Sequence, residues 1–300
     1  MTFDVVGFGA LNLDKLYNVN MIAREEEEGF VTGFKVTAGG SAANTIVGLS
    51  RLESNTGFIG KVASDHEGNF LIDEFRREGV DTGGVIVTDE SRSGVVMGFI
   101  DMKGDRALYV NPGVNNLIEL QDINLDYAAS TDFLHLSSFV GEQSFQAQKE
   151  LLDRLPNVKV SFDPGALYAR RGLRALKPII RRCDFIFPNA VETKILTGED
   201  YEGGAKALVA EGAGIVAVKL GGSGCYVTDG VESYLVEPYS VDVVDTTGAG
   251  DAFCAGFLYG IIKGKDLYEC GKLGNFVASR CISKMGARPG LPRLEDLKDL

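Results

Sequence analysis

Histidine and cysteine are scarce in this 300-residue chain, and their placement removes several classes of chemistry. Only His66 and His135 are present, so a histidine-based catalytic triad or a multi-histidine metal site has no material. His135 lies in the apolar run Phe133–Leu136 and reads as a core residue rather than a ligand. The cysteines are Cys183, Cys225, Cys254, Cys270 and Cys281, odd in number and without a Cys-x-x-Cys pair. That pattern excludes a disulfide framework or a structural zinc site and suits small buried thiols in a reducing compartment. Positive charge is short as well. The formal net charge is −12, which disfavours nucleic-acid binding through a basic face. No apolar run approaches the roughly 20 residues that span a bilayer, so no membrane partner is expected. Residues Phe3–Val6 read directly as strand, with no basic leader or cleavage site. A cytoplasmic protein is therefore the expectation.

What is present is alternation. Phe3–Gly9, Thr56–Gly60, Phe133–Leu136, Val158–Phe162, Phe185–Phe187 and Ile215–Lys219 are short and apolar, as strands buried on both faces would be. Helical patterns separate them: Ser41–Leu52, Glu67–Glu78, Gln143–Leu155, Glu192–Thr197 and Gly204–Glu211. This order predicts an α/β fold, with a mostly parallel sheet flanked by helices and ligands held beyond the carboxyl ends of the strands. Apolar content of 45% is enough for one large core. Two regions break the pattern. Residues 12–37 and 84–112 alternate polar and apolar residues, like exposed antiparallel strands forming a small β lid. The core would then be 1–11, 38–83 and 113–300. The acidic run Glu25–Glu28 reads as a solvated hairpin tip, and Arg293–Leu300 as a short closing helix.

The densest signal is Val243-Val-Asp-Thr-Thr-Gly-Ala-Gly-Asp-Ala-Phe253. Apolar Val241, Val243 and Val244 read as a strand, the small residues as a tight turn, and Ala252–Ile262 as a helix. Gly248, Ala249 and Gly250 present no side chain larger than methyl. A helix N-terminus there would aim free N–H groups and partial positive charge at an anion. Asp251 stands at the same point. A carboxylate is a poor phosphate ligand but a sensible acceptor for the proton of a hydroxyl that attacks a phosphate. Helix capping alone is the plainer reading of such an aspartate.

Asp245, Thr246, Gly248, Ala249, Gly250, Asp251 and Phe253 match the C-terminal signature Asp-Thr-x-Gly-Ala-Gly-Asp-x-Phe. On these residues the chain resembles the PfkB (ribokinase-like) family of carbohydrate kinases. The resemblance implies a ribokinase-like fold with a β lid, ATP as phosphoryl donor, Mg²⁺, and Asp251 as general base beside an anion hole of Gly248, Ala249 and Gly250. Asn12 and Asp14 match an Asn-x-Asp that holds sugar hydroxyls. Two residues apart in extended chain, they point the same way, although a turn-forming pair would look alike. Gly39, Gly40 and Asn44 match the N-terminal signature, with Ser41 placed to cap the following helix.

Asn189 and Glu192 match the Asn-x-x-Glu motif that supports Mg²⁺ through water. The same spacing also makes a capping box. Lys219 and Gly221 match a strand end near the nucleotide phosphates, although Lys219 reads equally well as a solvent-facing strand end. The family places adenine beside the helix that holds Asn275, and the resemblance adds Thr246 to the nucleotide contacts. Asp245, with the loop Cys281–Gly290, would hold the K⁺ that some members use, but Gly290 stands where a serine ligand often lies.

Gly7 and Gly9 lack the third glycine of a dinucleotide fold, and no Walker A loop exists. The acceptor is expected to be a small sugar, with a nucleoside as alternative. Lys15, Lys35, Arg92 and Arg106 are the cations available for an acidic substrate, and Phe99, Tyr109, Phe139 and Tyr168 the aromatics for a base. A non-catalytic sugar or nucleotide sensor on the same fold would be expected to lose Asp251 or the glycine turn. Exposed lid strands invite pairing into a homodimer.

Overall fold

The computed structural model describes residues 2–298. Thirteen strands form two sheets among these residues. The strands are β1 (Phe3–Phe8), β2 (Asn12–Val19), β3 (Val31–Gly39), β4 (Thr56–Ala63), β5 (Asp81–Thr88), β6 (Gly94–Ile100) and β7 (Arg106–Asn111) in the first half. The second half holds β8 (Thr131–Ser137), β9 (Lys159–Asp163), β10 (Phe185–Ile186), β11 (Ile215–Lys219), β12 (Cys225–Thr228) and β13 (Ser233–Val236). The large sheet runs β13-β12-β11-β10-β9-β8-β1-β4-β5, parallel from β11 to β5, with β12 and β13 added antiparallel. The small sheet runs β3-β2-β6-β7.

Ten α-helices accompany the strands among the described residues. They are α1 (Ser41–Arg51), α2 (His66–Arg77), α3 (Leu125–Ala129), α4 (Glu142–Arg154), α5 (Gly165–Ala169), α6 (Leu173–Ile180), α7 (Ala190–Thr197), α8 (Tyr201–Ala210), α9 (Ala249–Ile262) and α10 (Leu267–Ile282). They cover the large sheet on both sides, and strand periodicity divides the core accordingly. Val6 and Phe8 of β1 join Phe145, Leu151, Ile179 and Leu208 from α4, α6 and α8 on one face. Val5, just before them, joins Ile46, Phe75, Phe257 and Val277 from α1, α2, α9 and α10 on the other. Strands buried on both faces carry the unbroken apolar runs seen in the sequence.

Four expectations need correction. Residues 84–88 belong to β5, which pairs in parallel with β4 in the large sheet, not to the lid. As the edge strand it shows the alternating exposure of a half-covered surface, which mimics a lid strand. Residues 38–39, assigned above to the core, end β3 of the small sheet. That sheet is also mixed rather than antiparallel. β2 and β6 leave the large sheet in the same direction and pair in parallel, while β3 and β7 pair antiparallel outside them. Finally, Val241, Val243 and Val244 form no strand. Val243 and Val244 are 60% and 54% exposed, in an open segment leading to Asp245. The acidic run Glu25–Glu28 does lie in the exposed connection between β2 and β3. The closing helix is a single 3₁₀ turn, Leu294–Leu297, and residues 299–300 of that expectation lie outside the described ones.

Phe58 of β4 is fully buried and packs against Phe75 of α2 with ring centroids 4.9 Å apart. Phe58→Ala should therefore cost about 3–5 kcal/mol of stability. Urea denaturation followed by circular dichroism would measure this, and a loss under about 1 kcal/mol would refute the packing argument.

Candidate active site

The carboxyl ends of β1, β8, β9 and β11 open onto two adjoining cavities of about 840 and 400 Å³. Ser41, Ser138, Thr246, Ala249, Gly250 and Asp251 border both. The segment Thr246–Asp251 is thus the partition between them.

Gly248 makes that partition. It is the N-cap of α9 at φ 79°, and a Cβ there would lie 2.7 Å from Ala287 Cα. Only glycine takes this conformation without strain. Ala249 N–H bonds Thr246 O at 3.2 Å. The N–H groups of Gly248, Gly250 and Asp251 have no acceptor among the described residues. The expected trio is therefore shifted by one: Ala249 spends its donor on the turn, and Asp251 supplies the third.

Asp251 Oδ2 accepts from Asn44 Nδ2 at 2.8 Å, and Thr45 Oγ1 bonds the Asp251 carbonyl at 3.1 Å. Burial pushes the Asp251 carboxyl up to about 7, aided by nearby Asp163; the Asn44 bond, Lys219 and Arg288 pull the other way. A carboxylate with a pKa near neutrality and one oxygen uncommitted is suited to accept a proton.

In the larger cavity Lys219 Nζ meets Asp163 Oδ2 at 2.6 Å. Burial works against the lysine's charge, but the carboxylates of Asp163 and Glu192 outweigh it and hold the ammonium above its usual range. Lys219 is therefore not a solvent-facing strand end. Glu192 is buried beside this pair, and burial and Asp163 raise its carboxyl above the usual range.

Asn189 and Glu192 form a reciprocal capping box on α7. Glu192 N–H bonds Asn189 Oδ1 at 2.8 Å, and Asn189 N–H bonds Glu192 Oε2 at 2.9 Å. Both also line the cavity, as do Gly221, at φ 60°, and Asn275. Asn275 Nδ2 is committed to Val236 O and Glu237 O at 3.1 and 3.0 Å, so its donors brace the chain rather than face the cavity. Pro238, Tyr239, Val241 and Val243 give the far end an apolar wall.

Asp245 is held by three hydrogen bonds from the protein. Its Oδ1 accepts from Thr247 N–H and Oγ1 at 3.0 and 2.7 Å, and Oδ2 from Gly286 N–H at 2.8 Å. Burial alone would raise its carboxyl, but these donors hold it below the usual range. A side chain at Gly290 would run into Cys281 O at 2.3 Å, so no serine fits there. No group of three or more His, Cys, Asp or Glu side chains suited to a metal occurs among the described residues.

In the smaller cavity Asn12 and Asp14 face the same way from β2. Asn12 Oδ1 accepts from Asn115 Nδ2 at 3.0 Å, and Asn115 also bonds both backbone groups of Leu11. Burial raises the Asp14 carboxyl to about 6, against the pull of Arg288. The paired glycines have distinct tasks. A Cβ on Gly39 would strike Asp14 Oδ2 at 2.2 Å, and one on Gly40, at φ 112°, would strike Ala10 O at 2.1 Å. Gly40, not Ser41, is the N-cap of α1. Ser41 is instead the first helical residue and borders both cavities.

None of the four cations lines this cavity. Lys15 pairs with Glu67 at 2.9 Å, Lys35 reaches Met285 O, Arg92 is exposed, and Arg106 bonds Thr247 Oγ1 at the rim. None of the four aromatics lines it either. Phe139 and Tyr168 are core residues, and Phe99 and Tyr109 meet on the other face of the small sheet. Val96, Val110, Val140 and Leu167 supply the apolar wall.

Asp163, Asn115 and Arg288 escaped the sequence reading. Asp163 had a usable signal, a carboxylate ending a buried parallel strand. Asn115 and Arg288 had none, because their partners lie 104 and 244 residues away in sequence.

Residues 3–294 match the family described as pfkB family carbohydrate kinase. An uncharacterized sugar kinase of Archaeoglobus fulgidus is 50% identical over 83% of this chain and all of the relative. An ATP-dependent ribose-1-phosphate kinase of Halopiger xanaduensis is 30% identical over 95% of this chain and 93% of its own. Among solved structures, ribokinase from Thermotoga maritima superposes with a TM-score of 0.89 at 25% identity, covering 99% of this chain and 98% of that one. The fold is the ribokinase-like α/β fold with a separate small sheet. The chain belongs to the pfkB family and is a carbohydrate kinase.

Removing Lys219 leaves Asp163 and Glu192 together without a cation. Lys219→Met should destabilise the protein by about 3–5 kcal/mol at neutral pH. The deficit should shrink as pH falls and Glu192, whose carboxyl already lies above its usual range, takes up a proton. Thermal melts of both proteins across pH would check this; a deficit independent of pH would count against the ion-pair account.

Proposed function

We propose that the protein transfers the γ-phosphoryl group of ATP to a hydroxyl of a small neutral sugar, with Asp251 as general base. The observation that carries this reading is the place of Asp251 on the border of both cavities. A nucleotide in the larger cavity and a sugar in the smaller one would meet at this carboxylate. Mg-ATP supplies the electrophilic phosphoryl group. Asp251 takes the hydroxyl proton on the oxygen that Asn44 leaves free. The N–H groups of Gly248, Gly250 and Asp251 face charge developing on the transferred group, fixed in advance by the helix. Asn189 and Glu192, with Asp163 beside them, fit a hydrated Mg²⁺ held largely through water. Two carboxylates against one lysine leave net negative charge there. Asp245 Oδ2 accepts a single hydrogen bond and keeps a lone pair open, which fits a monovalent cation such as K⁺ at this turn.

Asn12 and Asp14 suit vicinal hydroxyls, and the absence of a lining cation favours a neutral sugar over a phosphorylated one. A nucleoside is the second reading, favoured by the valine and leucine wall of this cavity. A sensor has less support, because Asp251 and the glycine turn are both intact. The small sheet over the smaller cavity acts as a lid that limits wasteful hydrolysis. Its outer face carries Phe34 and Tyr109, 55% and 59% exposed, which supports a homodimer through the lid.

The test is ADP release from Mg-ATP with ribose, fructose, ribose 1-phosphate, a keto-deoxy sugar acid or adenosine. Asp251→Asn should lose about 10²–10⁴-fold in turnover while still binding nucleotide. Near-normal turnover would refute the base assignment. The base works ionised, so kcat/KM should rise with pH through about 7, where the carboxyl titrates. A profile flat from pH 5.5 to 8.5 would contradict it. For the dimer, Phe34→Glu should halve the mass seen by sedimentation velocity; a wild-type monomer would end that reading.

A further inference from the structure

Arg288 is the least explained charge in the protein. It lies in the loop after α10, is buried, and forms no ion pair among the described residues. Its Nε donates to Asn44 Oδ1 at 2.9 Å, while both terminal nitrogens are buried without a partner. Burial lowers its pKa to about 10, so it stays charged at neutral pH. Glu74, Glu78, Asp14 and Arg51 surround it. Glu78 is already taken by Arg51 through two bonds of 2.9 and 2.6 Å. Arg51 also holds the loop itself, donating to Arg288 O at 2.7 Å. The guanidinium therefore has carboxylates nearby but none in contact, with Asn44 as its sole hydrogen-bond acceptor among the described residues.

An asparagine amide can turn over and exchange its oxygen for its nitrogen. A guanidinium only donates, so it accepts just one of the two orientations. We propose that Arg288 is the positioning residue of Asp251: it holds Asn44 Oδ1, turns Nδ2 onto Asp251 Oδ2, and leaves the second carboxylate oxygen to face the acceptor hydroxyl. The chain Arg288–Asn44–Asp251 carries two bonds of 2.9 and 2.8 Å across three separate elements. It also stabilises the ionised carboxylate by charge and by a fixed donor. This inference rests on Asp251 being the base, but its geometry does not. Other groups face Asp251: Asp163 and Lys219 from the ends of β9 and β11, the thiol of Cys254 on α9, and that of Cys281 on α10. None of them orients Asn44.

The experiment is a ¹³C NMR titration of protein labelled at the aspartate carboxyls, with the Asp251 signal assigned by its loss in Asp251→Asn. Arg288→Met keeps the packing of the stem and removes the charge and the donor. Its Asp251 midpoint should rise by about one pH unit. Arg288→Lys keeps the charge and should move it less than half as far. Asn44→Leu cuts the relay with Arg288 in place and should move it in the same direction as methionine. The acid limb of kcat/KM should follow in each case, with KM for Mg-ATP within about twofold of wild type. An unmoved midpoint in a folded Arg288→Met overturns the proposal. If that variant fails to fold, an unmoved midpoint in Asn44→Leu does so. Turnover that survives Asp251→Asn would refute the base instead, and the NMR result would still decide whether Arg288 positions the carboxylate.

Discussion

The ion pair between Lys219 and Asp163 closes the floor of the larger cavity, and the surrounding site is arranged around its charge. Parallel strands end here, so their terminal residues are the only side chains that can reach the cavity from the sheet. Carboxylates placed there lose hydration, and an uncompensated buried charge costs several kcal/mol. Lys219 meets that cost for Asp163 and part of it for Glu192. The remaining imbalance is left facing the cavity. A metal–nucleotide ligand would use it, because a hydrated cation lowers the same cost from the other side.

Across the partition the same problem is solved without an ion pair. Asp14 and Asp251 have no lysine or arginine in direct contact among the described residues. Their carboxyls are held by β2, by α9 and by the Asn44 amide, with the Arg288 charge acting from behind. Both remain close to neutrality in pKa, and both have oxygens free toward the smaller cavity. Hydroxyl groups suit such carboxylates, since they donate hydrogen bonds and carry no charge of their own. The difference between the two cavities, one with a lysine on its floor and one without a lining cation, is the physical basis for assigning phosphates to one and a neutral sugar to the other.

Legibility in the sequence followed distance along the chain. Asp245 to Phe253 was readable because turn, helix start and carboxylate are consecutive, and each position constrains the next. Asn12 with Asp14 was readable because strand periodicity sets their common face. The capping box of Asn189 and Glu192 was readable as a box, and its depth beside Lys219 was not. Asn115 and Arg288 act on residues far away in sequence, and nothing local marks them. The two strand errors share one cause. β5 at the sheet edge and the valines before Asp245 each have one face against solvent or a cavity, and pattern alone does not say which neighbour is missing.

The raised carboxyls set a direction for stability. Asp14 and Asp251 titrate in the folded protein at about 6 and about 7, above their ordinary value of 3.8. A folded state that holds protons more tightly than the unfolded chain gains stability at low pH and loses it as pH rises. For these two groups the loss begins near the ordinary value and is complete above the folded one. At the pH where Asp251 would work as a base, the site therefore strains the fold that carries it. The Asn44 donor and the Arg288 charge reduce that strain without removing it. Removing it entirely, with a lysine against Asp251, would stabilise the protein and lower the basicity on which proton transfer depends. A neutral amide backed by a remote cation is the compromise between those two demands.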